Sequence, residues 1–225
     1  MPPLIWLSLF FAVLLGLLLP FLFGEIMVTS LAKLHVSPDI ALLVIVGMLV
    51  GGFVNIPVAR FARHDVVPTH PFAAFGLSQM WPQLQRVRRE TVVAVNFGGC
   101  VVPTALALYE LAYLAIAGWR LLAVTGLACL ANSVLCYRIA RPLPGVGIVM
   151  PGLVSSLAAA LMALLLAPDQ AAPVAFIAGV AGPLIGADLF HLRDIGATDA
   201  AVVSIGGAGT FDGIVLSGIV AAYLA

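Results

Sequence analysis

Apolar residues run along this chain in long stretches instead of alternating with polar ones. Seven stretches are long enough, at about 20 residues, to cross the hydrocarbon core of a bilayer as helices. They cover roughly residues 4–23, 40–59, 91–112, 121–137, 146–167, 173–192 and 201–224. Between the first two, Ile26, Leu31 and Leu34 alternate with Glu25 and Lys33, which suits a helix lying in the membrane interface over residues 24–39. Residues 60–90 form the long hydrophilic segment, and even there Phe72, Phe75 and Trp81 occur, so a loop on the membrane surface is expected. The pattern predicts an all-α fold. One polytopic transmembrane domain would span residues 1–225, with about seven helices in one bundle and a surface loop at 60–90.

Composition strengthens that picture. Hydrophobic residues make up 63% of the chain and charged ones only 9%, and the mean hydropathy is +1.17. A soluble domain carries about a quarter charged residues, so this chain lacks the polar surface to cover a particle in water, and its first partner is membrane lipid. The formal net charge is zero, which gives nucleic acid no basic surface to bind. The cations are unevenly placed. Arg60, Arg63, Arg86, Arg88, Arg89, Arg138, Arg141 and Arg193 fall on one side of the predicted bundle, and Lys33 and Arg120 on the other. The positive-inside rule puts the first group in the cytoplasm, with the N-terminus cytoplasmic and the C-terminus outside. No Lys or Arg precedes the first stretch, so it reads as a first helix and not as a signal peptide. Cys100, Cys129 and Cys136 lie in apolar stretches without a Cys-x-x-Cys pair and are expected to pack as small hydrophobes.

Polar residues inside spans are costly and need a reason. Asn55 follows Gly51-Gly52 and precedes Pro57; Asn96 precedes Gly98-Gly99 and Pro103. Such a cluster serves either close packing through small residues or a substrate site. Arg141 to Gly152 contains three prolines and three glycines, so the fifth span starts on a broken or re-entrant segment. The sharpest signal is Asp188, near the end of span six, and Asp212, in span seven after Gly206-Gly207-Ala208-Gly209-Thr210-Phe211. An unpaired carboxylate in lipid costs several kcal/mol (roughly 3 on insertion scales), so pairing, water or function must explain both. Thr210 is a natural N-cap, which would put Asp212 in the first turn of its helix. The two aspartates then lie at similar depth near the cytoplasmic face, on antiparallel helices joined by a short turn. Gly206, Gly207 and Gly209 would let a ligand approach the backbone, with Thr210 and Asn96 as further binding residues. The structural alternative is a lock such as Asp188 with Arg193 or Asp212 with Asn96. His191 and Asp194 follow Asp188 at i+3 and i+6, a spacing that does not converge on a metal, so His191 is expected at the interface. Glu110 is expected at a solvated helix end.

The segments Gly186-Ala187-Asp188-Leu189 and Ser204-Ile205-Gly206-Gly207-Ala208-Gly209-Thr210-Phe211-Asp212-Gly213-Ile214 resemble the prokaryotic membrane family catalogued as domain of unknown function 1614. Pro144–Ile148 and Asn55–Arg60 fit the same family, and the resemblance runs from span two onward. It implies a location in a prokaryotic cytoplasmic membrane but no known activity. A second resemblance is to intramembrane aspartyl proteases of the presenilin and signal peptide peptidase type, which carry one aspartate in span six and another in span seven after a Gly-x-Gly-Asp motif. It implies that Asp188 and Asp212 are catalytic and that transmembrane peptides are substrates. This chain differs in the two residues, Thr210 and Phe211, between its glycines and Asp212, in the absence of Tyr before Asp188, and in lacking spans eight and nine.

In that chemistry one carboxylate activates water while the other, protonated, polarises the scissile carbonyl. The same aspartates would equally suit a proton- or ion-coupled transporter of small solutes, alternating between protonated and ion-bound states. A non-catalytic membrane scaffold is the third reading. The sequence has no His-Glu-x-x-His, Walker or dinucleotide motif, so no metal or cofactor is expected. The oligomeric state is open.

Overall fold

The computed structural model describes residues 3–68, 84–143, 147–192 and 201–225. Its α-helices are α1 (Pro3–Leu31), α2 (Pro38–Gly51), α3 (Val102–Ala117), α4 (Trp119–Ile139), α5 (Gly152–Leu166), α6 (Ala171–Ala181) and α7 (Gly213–Leu224). A π-helical turn, Phe97–Val101, leads into α3, and a longer π-helical segment, Gly182–Leu189, continues α6. Among the described residues four helical stretches are long and apolar enough to cross a membrane: Trp6–Leu31, Phe97–Ala117, Trp119–Ile139 and Pro168–Leu189. The apolar helices α2, α5 and α7 are shorter. These features are those of an integral membrane protein.

The all-α expectation is corrected by two sheets. Strands β1 (Asn55–Pro68), β2 (Leu84–Asn96), β3 (Arg141–Leu143), β4 (Gly147–Val149) and β5 (Val202–Ile205) form one three-stranded sheet in the order β1-β2-β5 and one two-stranded sheet, β3-β4. β1 and β2 are antiparallel, and β5 joins β2 in parallel, Val92 opposite Val202 and Val95 opposite Ile205. The physical reason is β-branching. Val92-Val93-Ala94-Val95 and Val202-Val203-Ser204-Ile205 are apolar enough for a membrane helix, yet their branched side chains pack better on a pleated surface. Three expected spans therefore shorten. The second ends as a helix at Gly51, and Pro57 follows at a register shift in edge strand β1, where its missing N–H costs least. The third begins at Phe97 and the seventh at Gly213.

The 60–90 segment is not a surface loop in its described parts, because β1 runs to Pro68 and β2 starts at Leu84; residues 69–83, with Phe72, Phe75 and Trp81, lie outside the described residues. No separate interfacial helix covers 24–39 either. Its first half continues α1 to Leu31, and turns over Ala32–Val36 lead into α2, capped by the Ser37 hydroxyl, which accepts from Ile40 N–H. The irregular approach to α5 is the β3-β4 pair, and residues 144–146 between the two strands lie outside the described residues.

Helix α6 is the centre of the bundle, buried at every residue from Ala171 to Val180. It packs on α3, α4, α5 and α7. Small residues allow this: a Cβ at Gly179 would come 2.9 Å from Gly218 Cα, and one at Gly218 would come 2.6 Å from Val180. Asn132 adds a polar tie between four helices. Its Nδ2 donates to Ala178 O (2.8 Å) and Ser155 Oγ (3.0 Å), and Ser155 in turn meets Ser217 Oγ at 2.6 Å. Helices α1 and α7 run parallel, since Phe23 stacks near Phe211 (5.5 Å) and Ser30 Oγ donates to Ile219 O (2.9 Å). At one end of the bundle the last turns of α2, α4 and the π-helical segment meet the first turns of α3, α5 and α7, beside both sheets. At the other end Lys33 Nζ donates to Tyr223 O (2.7 Å), which ties the α1–α2 turn to the last turn of α7.

Candidate active site

Asp188 is the penultimate residue of the π-helical segment that extends α6. Pro183 and two glycines shape that segment. Pro183 lacks a backbone donor, and its ring disfavours regular α-helix at this point. Gly186 lies so close to α4 that a Cβ there would collide with Ser133 O. Asp188 is half-buried.

Asp212 is placed by capping. Its Oδ1 accepts from Ile214 N–H (3.0 Å), so Asp212 itself is the N-cap of α7, and its Oδ2 accepts from Ala208 N–H at 3.3 Å. Thr210 is therefore not the cap; it lies in the short 3-10 turn Gly209–Phe211, and its hydroxyl donates to Met48 O (3.3 Å) at the end of α2. A carboxylate suits this place because the first N–H groups of a helix are otherwise unpaired and the helix dipole favours an anion there.

The two aspartates line one cavity of about 360 Å³ together with Gly147, Ile148 and Val149 of β4, Leu192, all of β5, and Gly206, Gly207 and Ala208. All four residues of β5, the last strand of its sheet among the described residues, line the cavity, and Ile148 and Leu192 of its other walls pack with Val203. The link between the two aspartates is not a short turn: β5 and the glycine turn stand between the π-helical segment and Asp212. Arg193 and Asp194, considered as partners of this region, lie outside the described residues.

The glycine turn is held by backbone contacts. Gly206 (φ 73°) and Gly209 (φ 61°) adopt the left-handed conformation that favours glycine. A Cβ at Gly206 would lie 2.6 Å from Gly99 C, and one at Gly209 would lie 3.1 Å from Gly52 Cα. Gly206 and Gly207 border the cavity, whereas Gly209 and Thr210 face the Gly51-Gly52 end of α2.

Asn96 does not reach the cavity either. It is wholly buried, Nδ2 donates to Gly52 O (2.8 Å) and Asn55 Oδ1 (3.1 Å), and Oδ1 accepts from Gly99 N–H (2.7 Å). Asn55 stands directly opposite it across β1-β2 and accepts from Ser204 Oγ (2.6 Å). The two Asn-Gly-Gly clusters thus meet each other: they fix strand β5 and the glycine turn in place.

Two further residues differ from expectation. His191 is buried, not interfacial; its Nδ1 bonds Ala187 O (2.9 Å), and Tyr137 packs on its ring. Glu110 is fully buried, not solvated. Its Oε1 accepts from His35 N–H (3.0 Å), its Oε2 lies 2.9 Å from His35 Nδ1, and His35 stacks on Tyr113. His35 and Asn132 carried no local motif in the sequence. Only the rule that a polar group in an apolar run must find a partner points to them.

A family model described as protein of unknown function, DUF1614, matches residues 49–224. The chain belongs to this family. No curated protein and no solved structure matches it. The matched span holds every residue that lines the aspartate cavity, while α1 and His35 lie before it. This DUF1614 chain therefore keeps its candidate site within the part it shares with its family.

Proposed function

We propose that the protein is an intramembrane aspartyl-protease-like hydrolase with Asp188 and Asp212 as the catalytic pair. The observation behind the reading is their meeting on one cavity walled by β5, the last strand of its sheet among the described residues. A peptide bond needs both halves of that arrangement. The carboxyls supply a base for water and an acid for the carbonyl oxygen. An extended substrate backbone can add to β5 through main-chain hydrogen bonds, a mode that tolerates varied side chains. In this reading the chain crosses the membrane seven times in one bundle, α2 being a short span completed by the segment after it, and α5 and α7 short spans completed by the segments before them. The N-terminus is cytoplasmic, transmembrane peptides are the substrates, and the site opens near the cytoplasmic face.

Reconstituted protein is expected to cleave members of a panel of single-span peptides. Asp188→Asn and Asp212→Asn should each abolish cleavage with the fold intact, because one carboxyl cannot serve as both acid and base. Absence of cleavage by the wild type, together with no binding of an aspartyl-protease transition-state inhibitor, would sink the proposal.

A coupled small-solute transporter is the second reading, favoured by one observation: the backbone from Gly206 to Asp212 is unwound just before an apolar helix, as in discontinuous transport helices. It predicts a proton- or sodium-dependent flux in liposomes that the same Asn variants uncouple.

A further inference from the structure

A second cleft, of about 560 Å³, lies beside the aspartate cavity and shares Val149 of β4 with it. It is lined by Arg138, Ile139, Arg141, Val149, Met150 and Pro151. Arg138 belongs to the last turn of α4, and Arg141 begins β3, where it stands opposite Val149. Two cations therefore face one apolar-walled cleft. Among the described residues neither guanidinium has an ion-pair or hydrogen-bond partner. Relief of the helix dipole alone would accept any basic residue near the end of α4, and it does not account for Arg141, which lies beyond the helix.

The surface below the cleft has a matching character. Leu127 (55%), Leu130 (63%) and Val134 (49%) are exposed, and at spacings of three and four residues they form one stripe along α4 that leads to Arg138. Tyr137 and Phe190, ring against ring, are exposed beside its upper end, as aromatic residues are at the level of lipid headgroups. An apolar stripe of this length fits an acyl chain, and a pair of guanidiniums at its end fits a phosphate, which Arg binds through its planar fork.

We infer that Arg138 and Arg141 bind the phosphate of an anionic phospholipid headgroup, with an acyl chain of that lipid along Leu127, Leu130 and Val134. The site is independent of what the aspartates do. It places an ordered lipid next to β4, one wall of the aspartate cavity.

The test uses the full chain in nanodiscs of mixed phosphatidylglycerol and phosphatidylcholine, with the lipid retained after gentle extraction identified by native mass spectrometry. Wild type should retain phosphatidylglycerol in preference to phosphatidylcholine, and the R138Q/R141Q double variant should lose that preference roughly tenfold or more. R138K/R141K, which keeps the charge but not the fork, should lose most of it, and it remains informative if the glutamine variant does not fold. Arg60→Gln should change nothing, since Arg60 already lies 4.0 Å from Glu90. Excess inorganic phosphate should not displace the lipid. Equal retention of both lipids by the wild type, or an unchanged preference in R138Q/R141Q, would overturn the inference. So would wild-type behaviour of R138K/R141K, which would mean diffuse surface charge, and displacement by phosphate, which would mean a site for a soluble anion.

Discussion

The double role of Asp212 decides which substitution can test it. As the N-cap of α7 it accepts from Ile214 N–H, and as a cavity residue it lines the same space as Asp188. Asparagine caps a helix about as well as aspartate, while alanine costs about 1 kcal/mol. Asp212→Asn should therefore keep the thermal stability of the detergent-solubilised protein, and Asp212→Ala should lower it; equal stability of the two variants would remove the cap from the argument. Gly99 and Gly126 give a second comparison. A Cβ at Gly99 would collide with Gly206 O, whereas nothing lies within 4 Å of one at Gly126. Gly99→Ala should destabilise by roughly 1–3 kcal/mol through overpacking. Gly126→Ala, inside α4, should be neutral or stabilise by up to about 1 kcal/mol, and denaturation curves of the two variants side by side would show it.

At the scale of elements, the sequence was readable where one force dominates. Helix α4 and the body of α3 follow from apolar length alone, and the break before α5 follows from Pro142, Gly147, Pro151 and their neighbours. The strands were hidden because Val92-Val93-Ala94-Val95 and Val202-Val203 are apolar at consecutive positions, so the sequence of these segments lacks a clear period-two alternation. Their valine and isoleucine content was the remaining signal. The candidate site was half legible. Asp188 and Asp212 stand out because a carboxyl in an apolar run is conspicuous, and the structure sets both on one cavity. Asn96, Gly209 and Thr210 were equally conspicuous, yet their partners are Gly52, Asn55, Gly99 and Met48, contacts between distant segments that spacing cannot reveal. Glu110 belongs here too, because its partner comes from the turn between α1 and α2. Glu110→Ala would leave His35 without its acceptors and should cost about 3 kcal/mol, whereas Glu110→Gln keeps an acceptor for His35 N–H and should cost roughly 1 kcal/mol. A smaller loss for alanine than for glutamine in thermal unfolding would contradict the pairing.

For the whole molecule, orientation is the property on which the proposed chemistry depends. Arg138 and Arg141 stand at the sheet end of the bundle and Lys33 and Arg120 at the other, and the proposed orientation puts the sheet end in the cytoplasm. A single cysteine at Asp169, in the turn between α5 and α6, should react with an impermeant thiol reagent from outside intact cells. One at Ser78, between β1 and β2, should react only after the inner face is opened. Labelling of Asp169→Cys from the cytoplasm would invert the molecule and move the aspartate cavity to the outer face.

The parallel pairing of β5 with β2 carries a consequence for biosynthesis. β1 and β2 are close in sequence and can pair as soon as both have left the ribosome, but the partner of Val92–Val95 is made roughly a hundred residues later, a non-local contact of the kind that forms slowly. Until then the inner edge of β2 offers unpaired main-chain groups to any other nascent strand. The cavity, whose walls include β5, cannot exist in a chain that has not yet finished its final third. Whatever depends on this cavity is in this way withheld from incomplete chains. Nascent chains stalled before residue 200 should be open to protease along β2, and completion of α7 should confer protection in a single step.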